Sequence, residues 1–166
     1  MGPAMDESNR IVDVVIENEN ERAIAADIIQ ERNVAIYDLC SGNSFTLNPR
    51  KGKLPPPGPY KLRLSLKPRH VVFDVRTEDD NETMAFHLAL EHIRRQLSSY
   101  CRICQEYNDA ICTMPRDSID QVDRIRRTIH DEGAQRLQER LSAWITVDMQ
   151  TARLLFTLIH AAHPTR

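Results

Sequence analysis

The sequence predicts an α+β fold: an antiparallel sheet, made of a three-stranded meander plus one or two flanking strands, with about four helices packed on one face. Three observations carry this reading. Residues 60–90 alternate apolar and polar side chains between turn signals, the period-2 mark of half-buried strands. From Leu90 to the C-terminus the apolar period is 3.6. Before the meander lie only a short β-branched stretch, Ile11 to Ile16, and one helical run.

Composition bounds the class. The chain has 166 residues, 41% hydrophobic and 28% charged, which suits one soluble domain. No run approaches the ~18 apolar residues of a membrane-spanning helix, and no signal-peptide pattern opens the chain, so a cytoplasmic protein is expected. A net charge of -2 implies no whole-molecule attraction to nucleic acid or acidic lipid.

Taken in order, residues 1–10 read as a disordered leader and 11–166 as a single α+β domain. Ile11 to Ile16 is a strand. From about Asn20 to Cys40 a helix places Ile24, Ile28, Ala35 and Leu39 on one face, and Ser41-Gly42-Asn43 stops it. Arg32 falls in that apolar arc, so its side chain must reach the surface or an acidic partner. Asn48 to Pro59, with Pro55-Pro56-Pro57-Gly58-Pro59, is an exposed loop.

Three strands follow. Tyr60 to Lys67 turns Leu62, Leu64 and Leu66 inward; Val71 to Arg76 does the same with Val71, Phe73 and Val75. After the turn Glu78-Asp79-Asp80-Asn81, Thr83 to Leu90 alternates Met84, Phe86, Leu88 and Leu90 with His87. The next helix lines Ile93, Leu97, Tyr100, Cys104, Tyr107 and Ile111 along one face, with Arg95, Arg102, Glu106 and Asp109 opposite, and Met114-Pro115 ends it. Ser118 is the expected N-cap of a helix through Ile119, Val122, Ile125 and Ile129 to Leu137, Leu141 and Trp144, with Gly133 a point where it can kink. Ile145-Thr146-Val147 reads as a link. Asp148 caps a final helix, Met149 to His163, apolar on most sides and therefore central.

Cys40, Cys101, Cys104 and Cys112 are expected as reduced thiols acting as small buried hydrophobes. The Cys101-Arg-Ile-Cys104 spacing lacks the second ligand pair of a zinc site, and His130-Asp131-Glu132 follows it instead of preceding it as in zinc deaminases. No metal or cofactor is expected.

One cluster breaks the apolar pattern. On a helical wheel Asp123, Arg126 and His130 fall within or beside the arc of Ile119, Val122, Leu137 and Trp144. Charges there require partners. The i+3 and i+4 spacings allow one hydrogen-bonded row, and Gly133, a turn further on, leaves room for a ligand or another backbone. The arrangement reads either as a structural polar network between helices or as an anion pocket. In the pocket Arg126 and Arg127 hold a carboxylate or phosphate and His130, steadied by Asp123, acts as acid or base. Gln150, Arg153, Thr157 and His160 form a second polar stripe on the last helix, which walls the same cleft if the two faces meet. Between Arg50 and Arg76 eight basic residues face one acidic residue, a local charge of +7. Lys61, Arg63, Lys67 and Arg76 are candidates for RNA contact, although the stacking aromatics of such a surface are missing; the alternative is a solvated face paired with the acidic stretch Asp6 to Asp38.

Several segments together resemble the uncharacterised protein family UPF0262 of alphaproteobacteria: Glu31 to Leu39, Asn43-Ser44-Phe45, Gly58 to Leu66, Phe73 to Glu78, Arg126 to Gly133 and Asp148 to Leu158. The resemblance spans nearly the whole chain from residue 11 and implies no activity. The family pattern carries Asp, Arg, Arg, His, Glu and Gly at Asp123, Arg126, Arg127, His130, Glu132 and Gly133, and Cys at Cys104, but a large apolar residue at Cys101. This chain departs from it in a longer Pro-rich loop and in the tail after His160. Three functions are therefore expected in order. The first is a non-catalytic binding or regulatory protein with an unidentified protein partner. The second is an enzyme or binding domain for an anionic small molecule, using Asp123, Arg126, Arg127, His130, Glu132, Gly133 and Arg153. The third is RNA binding through the basic sheet face. The mostly apolar last helix also allows a homodimer.

Overall fold

The computed structural model describes residues 7–18 and 26–163. Strand β1 (Ile11–Asn18) leads to α1 (Ala26–Ser41) and the short strand β2 (Phe45–Leu47); β3 (Tyr60–Leu66), β4 (His70–Thr77) and β5 (Thr83–Ala89) follow. A 3-10 turn, Leu90–His92, precedes α2 (Arg94–Thr113), then come α3 (Arg116–Leu141), β6 (Ile145–Val147) and α4 (Met149–Ala162). The fold is α+β, as the periodicities require.

The sheet order is β1-β3-β4-β5. Strands β3, β4 and β5 are antiparallel neighbours, but β1 pairs with β3 in parallel, so the sheet is mixed and not wholly antiparallel as expected. Alternation in one strand records which face is buried and says nothing of direction. Here the chain leaves β1, passes through α1 and returns to run alongside it, a crossover that makes the pair parallel. A second sheet, β2 with β6 antiparallel, was not expected: three residues each are too few to show a period, and Ile145–Val147 read as a link.

Leu62, Leu64, Leu66, Val71, Phe73, Val75, Phe86 and Leu88 form the buried sheet face. Phe73 stacks on Phe86 and Phe86 on Trp144, at 4.9 and 5.0 Å between centroids. The helices lie side by side in the order α1, α4, α3, α2, so α4 has neighbours on both flanks and is almost wholly buried. Asn43 holds the first helix to the first strand: its Nδ2 donates to the Ile11 and Leu39 carbonyls and its Oδ1 accepts from the Ile11 N–H, each at 2.8 Å.

Three local expectations change. Pro115, not Ser118, stands at the start of α3, because the Ser118 N–H is already bonded to the Pro115 carbonyl. The helix runs without interruption through Gly133. On α2 the buried seam passes through Leu97, Tyr100, Ile103 and Ala110, which leaves Ile111 half exposed at the far end. Of the expected first helix, residues 20–25 with Ile24 lie outside the described residues, as do residues 1–6 of the leader and 164–166 of the tail. Residues 7–10 form a turn whose Asn9 and Arg10 carbonyls accept from Phe45 and Tyr60.

Candidate functional site

The site is assembled by one close helix contact. Asp148 caps α4 by accepting from the Thr151 N–H at 2.9 Å. Two turns along, the Phe156 ring lies against Gly133 so tightly that a Cβ there would overlap it. The space left by the missing side chain is therefore filled by Phe156, and Gly133 serves the packing of α3 on α4. That approach sets the neighbouring side chains face to face. His130 Nε2 lies 2.8 Å from Thr157 Oγ1, and Arg153 Nε donates to Asp131 Oδ1 at 2.8 Å.

The guanidiniums are fixed in place. Asp123 accepts from Arg126 Nε at 3.1 Å and from its Nη2 at 2.6 Å, while its second oxygen meets Arg127 Nη2 at 2.8 Å. The Arg126 guanidinium also lies over the Tyr107 ring, 4.6 Å from its centroid. Hydrogen bonding from Arg126, then the charges of Arg126 and Arg127, hold the Asp123 carboxyl below its ordinary pKa. His130 does not join this row: its hydrogen bond goes across to α4.

Tyr100, Arg126, Arg127, His130, Asp131 and Arg153 line a cleft of about 330 Å³. Behind it the four helices share a polar layer in which Tyr100 and His160 are buried and Glu31 and His130 half-buried. The Tyr100 hydroxyl on α2 points to Glu31 Oε1 on α1 at 3.5 Å, and the Tyr100 ring packs against His130 and His160 at 5.0 and 4.7 Å. Burial raises the pKa of Glu31 and of Tyr100, and pushes the Cys104 thiol up to about 11. Burial, reinforced by Arg126 and Arg153 and opposed by Asp131, lowers His130 to about 4; burial and the neighbouring His130 do the same to His160. Both imidazoles are neutral at pH 7. His160 is 7% exposed, and neither of its ring nitrogens has a hydrogen-bond partner among the described residues.

The model of the uncharacterised protein family UPF0262 matches residues 8–165. This chain belongs to the UPF0262 family. It is 43% identical over 155 residues to a UPF0262 protein of Cereibacter sphaeroides, covering 93% of this chain and 98% of that one. Relatives in Ruegeria pomeroyi and Paracoccus denitrificans are 42% identical over 155 residues and 43% identical over 157, covering 93% and 95% of this chain and 96% and 97% of theirs. No solved structure matches the chain.

Of the residues singled out from the sequence, Arg126, Arg127, His130 and Arg153 surround one cleft in this UPF0262 protein, and Asp123 anchors two of them. Glu132 is exposed and does not line it. Sequence reasoning missed Glu31, although it lies four and eight residues before Ala35 and Leu39 on the buried side of α1. It also missed Asp131, for which no local signal exists. The basic sheet residues stand elsewhere and pair with acids: Lys61 with Asp80 at 3.2 Å, Arg63 with Glu17 at 3.1 Å, Arg76 with Asp74 at 3.2 Å. Lys67, the residue after β3, is half-buried. Among the described residues no three His, Cys, Asp or Glu side chains form a group able to hold a metal ion, and no helix is long and apolar enough to cross a membrane.

Proposed function

We propose that this UPF0262 protein is a cytoplasmic, non-catalytic binding domain for a small anion bearing carboxylate or phosphate groups, held in the cleft between α3 and α4. One observation carries the reading: guanidiniums from both helices, Arg126, Arg127 and Arg153, line one open cleft and are each anchored by a carboxylate. Anchoring removes side-chain freedom before the ligand arrives, so less is lost on binding. The Asp131–Arg153 and Asp123–Arg126 bonds engage the Nε edges and leave other N–H donors of each guanidinium for an anion. At about 330 Å³ the cleft is at the lower end of small-molecule sites, which suits a compact metabolite. Both carboxylates beside the cleft are engaged with arginines, so it offers cations and a neutral imidazole, and this supports binding over acid–base chemistry.

A thermal-shift series with phosphate, pyrophosphate, malonate, succinate and citrate tests the reading. A ligand present at a hundred times its Kd stabilises the fold by about 2.7 kcal/mol. The expected result is a concentration-dependent rise in Tm with at least one of these, lost in Arg126→Gln and in Arg153→Gln. No shift with any of them at tens of millimolar would end the proposal.

A further inference from the structure

We propose that the ligand is a divalent anion and that it binds together with one proton, taken up by His130. This rests on the anion-binding reading and specifies its ligand. The cleft and its anchors hold three guanidiniums, Arg126, Arg127 and Arg153, against two carboxylates, Asp123 and Asp131, which leaves one positive charge in excess. A monoanion is neutralised by that excess alone. A dianion in a partly desolvated cleft needs one more positive charge. Among the residues lining the cleft, His130 is the one whose protonation adds it without breaking an ion pair, since Asp131, the other group able to take a proton, is bonded to Arg153.

The geometry accommodates both states of the ring. His130 Nε2 is 2.8 Å from the Thr157 hydroxyl, and a hydroxyl both donates and accepts. Neutral His130 can take the hydroxyl's proton into its hydrogen bond; charged His130 donates from Nε2 to the same oxygen, whose own hydrogen turns toward a carbonyl of the preceding turn of α4. No bond is lost on protonation. Nδ1 has no hydrogen-bond partner among the described residues and belongs to a ring that lines the cleft; it carries a proton both in the neutral ring whose Nε2 accepts and in the charged ring, so it is a donor available to the anion in either state.

The surroundings explain why the ring waits for the ligand. Facing it are Tyr100 with Cys104 and the half-buried Glu31 behind it, Arg126, Arg127 and Asp131 from α3, and Arg153, Thr157 and His160 from α4. Burial and the guanidiniums of Arg126 and Arg153 keep the free imidazole neutral. An anion seated on those guanidiniums cancels their repulsion and adds its own attraction. Linkage is reciprocal: whatever the anion does for the proton, the proton does for the anion.

Isothermal titration with sulfate tests this, because sulfate remains a dianion throughout the working pH range. Titrations run from pH 8 to pH 5.5, each in two buffers of different ionisation enthalpy, with nitrate as the monoanion. The expected result is sulfate affinity rising as pH falls, approaching tenfold per pH unit, with up to one proton absorbed per sulfate, while nitrate binds more weakly and without proton uptake. His130→Gln should still bind sulfate but lose the pH dependence; Glu31→Gln should keep it. Sulfate binding with no proton uptake, or uptake that persists in His130→Gln, overturns the proton-linked dianion and leaves the anion site standing. Absence of sulfate binding even at pH 5.5 overturns the proton-linked dianion, and the anion site falls with it only if the thermal-shift series is also blank. Methyl phosphate and malonate, compared at pH 7.5, separate the two dianion chemistries: tighter binding than sulfate by either supports the proposal, and binding by neither overturns it.

Discussion

Acidification should destabilise this fold well before its carboxylates titrate. His130 and His160 sit at about 4 in the folded protein against 6.5 for an ordinary histidine, chiefly because both are buried. Between those values the unfolded chain binds more protons than the folded one, so stability falls as pH falls. At pH 5 an unfolded histidine is almost wholly charged and a folded one at 4 almost wholly neutral. The difference is about 2 kcal/mol per group relative to pH 8, on the order of 4 kcal/mol for the two. His163, lowered by burial and Arg94, adds in the same direction. Glu31, raised by burial above its ordinary 4.5, acts in the opposite sense, and Asp123, lowered by Arg126, contributes only below its ordinary 3.8. Against a typical total of 5–15 kcal/mol the effect is large. Urea unfolding followed by circular dichroism at pH 8, 6.5 and 5 measures it. His160→Leu should remove about half of the slope and, by eliminating two unsatisfied buried nitrogens, raise stability at pH 8 by about 1–3 kcal/mol. A stability that is flat or rising from pH 8 to pH 5 would refute the burial argument, as would a His160→Leu variant with the full wild-type slope.

The packing and anchoring arguments make their own predictions. Gly133→Ala places a methyl into the Phe156 ring, so overpacking of about 1–3 kcal/mol should exceed the ~1 kcal/mol gain in helix propensity and lower Tm; an unchanged or raised Tm would show that α3 and α4 part easily. Asn43→Ala removes three 2.8 Å bonds between β1 and α1 and should cost about 2–4 kcal/mol in urea unfolding, whereas a loss below about 0.5 kcal/mol would mean the strand is held by the sheet alone. Asp148→Ala should cost about 1 kcal/mol through loss of the α4 cap, with Asp148→Ser recovering most of it.

Much of this architecture was legible because hydrophobic period is a local property. Leu62, Leu64 and Leu66, or Ala152, Leu155, Phe156 and Ile159, announce a strand and a buried helix from spacing alone. The polar misfits Asp123, Arg126 and His130 were visible for the same reason. Their true partners were not. Glu31 and Tyr100 meet 69 residues apart in sequence, Asp131 and Arg153 22 apart, and no pattern within either segment encodes the meeting. The row expected along α3 is instead two contacts, Asp123 within the helix and Thr157 across to the next.

Residue spacing was sufficient to establish an α+β domain with helices on one sheet face and charges misplaced on an apolar arc, because the buried face of each element depends only on its own residues. The parallel entry of β1, the β2–β6 pair and the convergence of three arginines on one neutral histidine were settled in three dimensions. Each depends on how closely and at what rotation elements pack, and at the cleft that is set by one ring, Phe156, fitting where Gly133 has no side chain.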